Sequence, residues 1–86
     1  MGDRATLLAA FKHVAAEIVG KDFSHVSEGT RLSELAVDSL GMAEIIGQLE
    51  RRFDIPAIPD DRLTGLATVG DLLEVVEAHV AQGHSA

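Results

Sequence analysis

Cysteine, tryptophan and tyrosine are all missing from this chain of 86 residues, and each absence removes a class of explanation. Without cysteine there is no disulfide frame, no thiolate nucleophile and no sulfur-based metal site, which fits a reducing compartment. With three phenylalanines as the only aromatics, the core must be assembled from Leu, Ile, Val and Ala, which suits packed helices better than a β-sandwich. Long hydrophobic runs are lacking too. The stretch MGDRATLLAAFKHVAAEIVG is interrupted by Lys12, His13 and Glu17, so it reads as neither a signal peptide nor a membrane span. A cytoplasmic protein with no membrane partner is expected.

What is present is apolar enough to fold. A hydrophobic fraction of 47% excludes intrinsic disorder. The length allows one domain that buries roughly 60–65% of its unfolded surface; it is expected over residues 1–81, as a monomer, with a frayed tail over 82–86. The net charge of −7 is unevenly placed: residues 1–31 balance four basic against four acidic side chains, whereas residues 32–86 hold three basic and ten acidic ones. Such a field repels phosphate backbones and attracts basic protein surfaces, so nucleic acid is an unsuitable partner.

Helical spacing predicts the architecture. Leu7, Leu8, Phe11, Val14, Ala15 and Ile18 share one face of a first helix that Asp3 can cap and Gly20 can stop. From Lys21 to Asp38 no period holds; Phe23, Val26, Leu32 and Leu35 are spaced as anchors, so an ordered loop is expected there. A second helix, from Asp38 or Ser39 to about Phe53, has a buried stripe of Met42, Ile45, Ile46, Leu49 and Phe53. Its opposite face repeats the same spacing with Leu40, Ala43, Glu44, Gly47 and Arg51. A solvated face seldom contains glycine, which costs about 1 kcal/mol relative to alanine, so this stripe reads as a surface for a partner. The segment DIPAIPDD ends the helix with both prolines, and Asp60 or Asp61 can cap a short turn bearing Leu63 and Leu66. Thr68 with Asp71 forms a capping box for a last helix, whose inner stripe is Val69, Leu72, Leu73, Val76 and Val80. The fold class is therefore all-α: a four-helix bundle with a short third helix and a long ordered loop between helices one and two.

The short run AVDSL, residues 36–40, holds the chemical question. As a catalytic nucleophile, Ser39 would need a base, an orienting group and an oxyanion hole; the histidines lie at 13, 25, 79 and 84, and no G-x-S-x-G elbow surrounds the serine. The protein does not read as an enzyme. Metal binding is disfavoured as well, because an EF-hand counted from Asp22 would place Ser27 and Ser33 where glycine and glutamate are needed. His13 with Glu17 reads as a surface pair. What remains is a hydroxyl at the electropositive start of a helix, beside an exposed leucine, where a phosphodiester would sit favourably. An ordinary Asp-Ser helix start is the plain alternative.

The run LSELAVDSLGMAEIIGQLERRFDIPAIPDD, followed by TVGDLLEVVEAH, resembles the acyl carrier proteins of fatty-acid and polyketide synthesis, and the resemblance extends from the first helix to Val80. It implies that Ser39 receives phosphopantetheine from coenzyme A, on an arm whose thiol carries acyl groups as thioesters; the missing cysteine is then no handicap. It implies that Asp38 caps the helix and presents Ser39 to a phosphopantetheinyl transferase. Leu40, Ala43, Glu44, Gly47, Glu50 and Arg51 take the positions by which such carriers dock to acyltransferases, ketosynthases and other synthase enzymes with basic surfaces. Three departures stand out. Ala36 replaces the usual glycine, which suggests a differently turned approach to the serine; Gly47 replaces a larger apolar residue; and Arg51 and Arg52 replace acidic ones. The last two lean towards a polyketide or other secondary-metabolite pathway. Two alternatives stay open: an aminoacyl or peptidyl carrier, which the residues before Ser39 disfavour, and an unmodified helical interaction domain.

Overall fold

The computed structural model describes residues 3–83, and within them the chain forms three α-helices: α1 (Arg4–Val19), α2 (Ser39–Arg52) and α3 (Val69–Gly83). The expected all-α bundle is thus what the chain builds. The short fourth element is a single 3-10 turn, Asp60–Arg62. Asp60 and Asp61 lie inside that turn rather than ahead of it, and Leu63 and Leu66 follow it, half-buried against the core. The expected frayed tail is helical in its backbone through Gly83, and residues 84–86 lie outside the described residues.

Each helix end is built by the residues its sequence nominates. Asp3 accepts the Thr6 N–H at 2.7 Å to open α1. Gly20, at φ 79°, closes it by donating its N–H to the Ala16 carbonyl. At the head of α3, the Asp71 N–H donates to Thr68 Oγ1 while the Asp71 carboxylate accepts from the N–H groups of Ala67 and Thr68. These bonds favour the charged carboxylate. They hold Asp71 below the usual aspartate pKa, chiefly through the Ala67 and Thr68 backbone, and Asp3 likewise through Thr6.

The core forms where the helix stripes meet. α1 packs against both α2 and α3, and Leu7, Phe11, Ile45, Leu49, Leu72, Leu73, Val69 and Val76 are fully buried there. The long connection is ordered, as its anchors predict: Phe23, Val26 and Leu35 are buried, and Leu32–Leu35 winds into a 3-10 turn. Backbone bonds then tie it to the start of α3. Arg31 and Thr68 form a β-bridge, flanked by Leu32 N–H to Ala67 O and Val69 N–H to Thr30 O, both 2.9 Å. Beyond this bridge the Gly70 N–H donates to Glu28 O at 2.8 Å. The Arg4 guanidinium completes the clamp with 2.8 Å contacts to both Glu28 and Glu77, joining α1, the loop and α3. The bond to Glu77 is the main influence raising its pKa above the ordinary arginine value.

Candidate functional site

A turn before α2 sets the geometry around Ser39. Ala36 takes a left-handed conformation, φ 55° and ψ 37°, which glycine adopts freely and alanine only at some cost. The departure from glycine therefore leaves a glycine-type turn occupied by a residue less suited to it. Val37 follows, half-buried, and Asp38 is extended at the cap. Asp38 Oδ1 accepts the Gly41 N–H at 2.7 Å, and its carbonyl accepts the Met42 N–H at 2.9 Å.

Gly41 is the residue that sequence reasoning passed over. A methyl group there would lie 3.0 Å from Val37 Cγ1 and 3.2 Å from Asp38 Oδ1, so the cap closes tightly because no side chain stands behind it. The signal was available: a glycine in the first turn of a helix needs a local reason to be there.

Ser39 is the first residue of α2 and is exposed. The N–H groups of Ser39 and Leu40, in the first turn, have no acceptor within the helix. Leu40 is 70% exposed, the only large hydrophobic among the described residues to be so. Ala43, Glu44 and Arg51 are exposed along the same helix. Gly47 is half-buried, yet nothing lies within 4 Å of the place where its Cβ would be, so packing does not demand glycine there. Glu50 is engaged elsewhere: one carboxylate oxygen accepts the Ile58 N–H at 2.7 Å and organises the connection that follows α2. The structure thus brings Ser39, Leu40, Ala43 and Glu44 onto the N-terminal half of α2, with Asp38 capping it, Gly47 and Arg51 farther along it and Glu50 turned to the loop.

Two of the histidines have partners of their own. His13 meets Glu17 at 3.4 Å on α1 as the expected surface pair; His79 is buried in α3 with Nδ1 2.9 Å from the Val75 carbonyl. His84 lies outside the described residues. Among the described residues no group of three or more His, Asp or Glu side chains is placed to hold a metal ion, and no helix is long and apolar enough to cross a membrane.

A family model described as a phosphopantetheine attachment site matches residues 9–76. The acyl carrier protein of Rhodococcus erythropolis is 32% identical over 81 residues, spanning 93% of this chain and 88% of that protein. The meromycolate extension acyl carrier protein of Mycolicibacterium aurum is 35% identical over 72 residues, spanning 83% and 73%. The crystal structure of an acyl carrier protein from Thermotoga maritima superposes with a TM-score of 0.82, at 29% identity and 92% coverage of both chains. The fold and the match together define a helical carrier domain of the phosphopantetheine-attachment type. The chain belongs to the acyl carrier protein family, whose members are carriers rather than catalysts and whose prosthetic group is phosphopantetheine.

The residues present fit that group. An exposed hydroxyl opens from the first turn of α2, N–H groups without intrahelical acceptors adjoin it, and Asp38 is bonded to Gly41. The unsatisfied donors and the helix dipole favour a phosphodiester at that point.

Proposed function

We propose that Ser39 is the attachment residue and that this protein carries acyl or polyketide intermediates between synthase enzymes. The observation that carries this reading is the exposure of a hydroxyl on the first residue of α2, next to the exposed Leu40. In the loading step Ser39 Oγ bonds to the phosphorus of coenzyme A that bears the pantetheine arm. Adenosine bisphosphate leaves as the pyrophosphate bond breaks, and the hydroxyl proton passes to a base of the phosphopantetheinyl transferase. Asp38 fixes the start of the helix so that the hydroxyl is presented outward. Once attached, the group supplies a thiol that holds acyl chains as thioesters.

Leu40, Ala43, Glu44, Gly47 and Arg51 form the proposed docking face, with Glu50 at its edge. Its small and acidic members suit basic surfaces on acyltransferases, ketosynthases and the transferase. Exposed charge pairs contribute about 0–1 kcal/mol each, so docking is transient and weakens with salt. Gly47, Arg51 and Arg52 support a polyketide or other secondary-metabolite setting, whereas a relative named for meromycolate extension supports lipid synthesis; the intact mass of the species loaded in the native host separates the two.

Incubation with a phosphopantetheinyl transferase and coenzyme A should add one phosphopantetheine to the wild type and none to Ser39→Ala, with unchanged helicity by circular dichroism. Uptake by both proteins, or by neither, would refute the assignment to Ser39.

A further inference from the structure

Between the C-terminal turn of α1 and the first turns of α2 lies an open groove of about 300 Å³. Ile18, Val19, Val37 and Leu40 supply its apolar lining, and Asp38 and Glu44 its carboxylates. The volume falls at the lower end of the roughly 300–1,000 Å³ typical of small-molecule sites. Two of these residues, Asp38 and Leu40, are the immediate chain neighbours of Ser39, so a group esterified to that hydroxyl is tethered beside the groove.

We propose that this groove is the resting site of the prosthetic arm when no enzyme is docked. The inference rests on Ser39 being the attachment residue and adds where the arm lies. The chemistry of the groove matches the uncharged part of the arm. Geminal methyl groups suit the wall of Ile18, Val19 and Val37, and amide N–H groups need an acceptor. Asp38 Oδ1 is already bonded to the Gly41 N–H, whereas Glu44 is exposed and bonded to no other described residue. Glu44 therefore offers an amide a carboxylate with no competing bond among the described residues. The phosphate, esterified to Ser39, stays at the helix start beside the N–H groups that lack intrahelical acceptors, and the Glu44 carboxylate disfavours its entry into the groove. Because the arm is covalently tethered, its effective concentration reaches the millimolar range, and weak contacts suffice to hold it. Leu40 and Glu44 also belong to the proposed docking face, so an enzyme that covers that face competes with the arm for the same two side chains.

The test uses methyl-labelled holo-protein whose loading at Ser39 is verified by intact mass and peptide mapping. Nuclear Overhauser contacts are expected between the arm's geminal methyls and the methyls of Ile18, Val19 or Val37. A loaded Val19→Glu variant should lose them. If the wild type is loaded but the arm shows no contacts, or contacts only with side chains of α3 or the 53–68 connection, the groove is not its resting site and the attachment reading stands. If no arm is found on Ser39, both proposals fall together.

Discussion

Gly70 and Gly47 both sit inside helices, and the space around them differs as much as two sites in a small domain can. A methyl group on Gly70 would lie 3.1 Å from the Glu28 carbonyl oxygen, with the Glu28 side chain close behind. A methyl group on Gly47 would meet nothing within 4 Å. The first glycine belongs to the clamp where α1, the long loop and α3 converge, and Arg4 pairs there with both Glu28 and Glu77. The second belongs to the outer face of α2, where Leu40 and Glu44 have no partner among the described residues. One region uses its charges and its glycine to hold the chain together. The other holds groups that the fold itself does not use, as expected of a surface kept available for other molecules.

Several substitutions would break or sharpen this contrast. The largest effect is expected from Gly70→Val, which forces the Glu28 carbonyl away and strains the bond it accepts. We expect a loss of about 2 kcal/mol, or about 10 °C in Tm for a domain of this size, read by thermal denaturation. A neutral outcome would mean that the clamp is not tightly packed. Glu44→Arg should leave the melting curve unchanged while weakening association with a basic partner enzyme about three- to tenfold at low salt, the equivalent of up to about 1.4 kcal/mol. Equal affinity would remove Glu44 from the docking face. Gly47→Ala should stabilise the protein by about 0.5–1 kcal/mol, since it gains helix propensity without a clash; destabilisation would show that the open space is not really open.

The smallest effect is expected from acid. Asp3, Asp22 and Asp71 have folded-state pKa values below the ordinary 3.8, each chiefly because a backbone N–H donates to the carboxylate. Their contribution to stability is therefore complete above pH 3.8 and is lost as pH falls through the lowered values. Tm measured from pH 6 downward should hold level and then decline below about pH 4. Asp71→Asn, which keeps a capping oxygen but cannot titrate, should shallow that decline.

Local signals in the chain were strong enough to read most of the secondary structure. Asp3, Gly20, Asp38 and the Thr68–Asp71 pair act within three or four residues of themselves, and each does in the fold what its position suggests. The anchors of the long loop were legible for a related reason: apolar side chains in an otherwise polar stretch must be covered. Less legible was the second connection. Ile55 and Ile58 each precede a proline and look like part of a terminator, yet both are buried, and Glu50 turns from the outer face to accept the Ile58 N–H. Neither periodicity nor composition reports on a contact that depends on where the chain returns after α2. Ala36 was noticeable only as an unusual residue; its left-handed backbone became visible with the turn itself.

By itself, the amino-acid order determined three amphipathic helices, their caps, and a serine at the head of the second. Those properties arise from interactions a few residues long, and these are encoded by spacing. Tertiary structure alone decided which glycines are required, which carboxylates are already bonded, and that a groove opens beside Ser39 between two helix ends far apart in sequence. Such features come from surfaces meeting in space, where a few tenths of an ångström separate a tight contact from an open one.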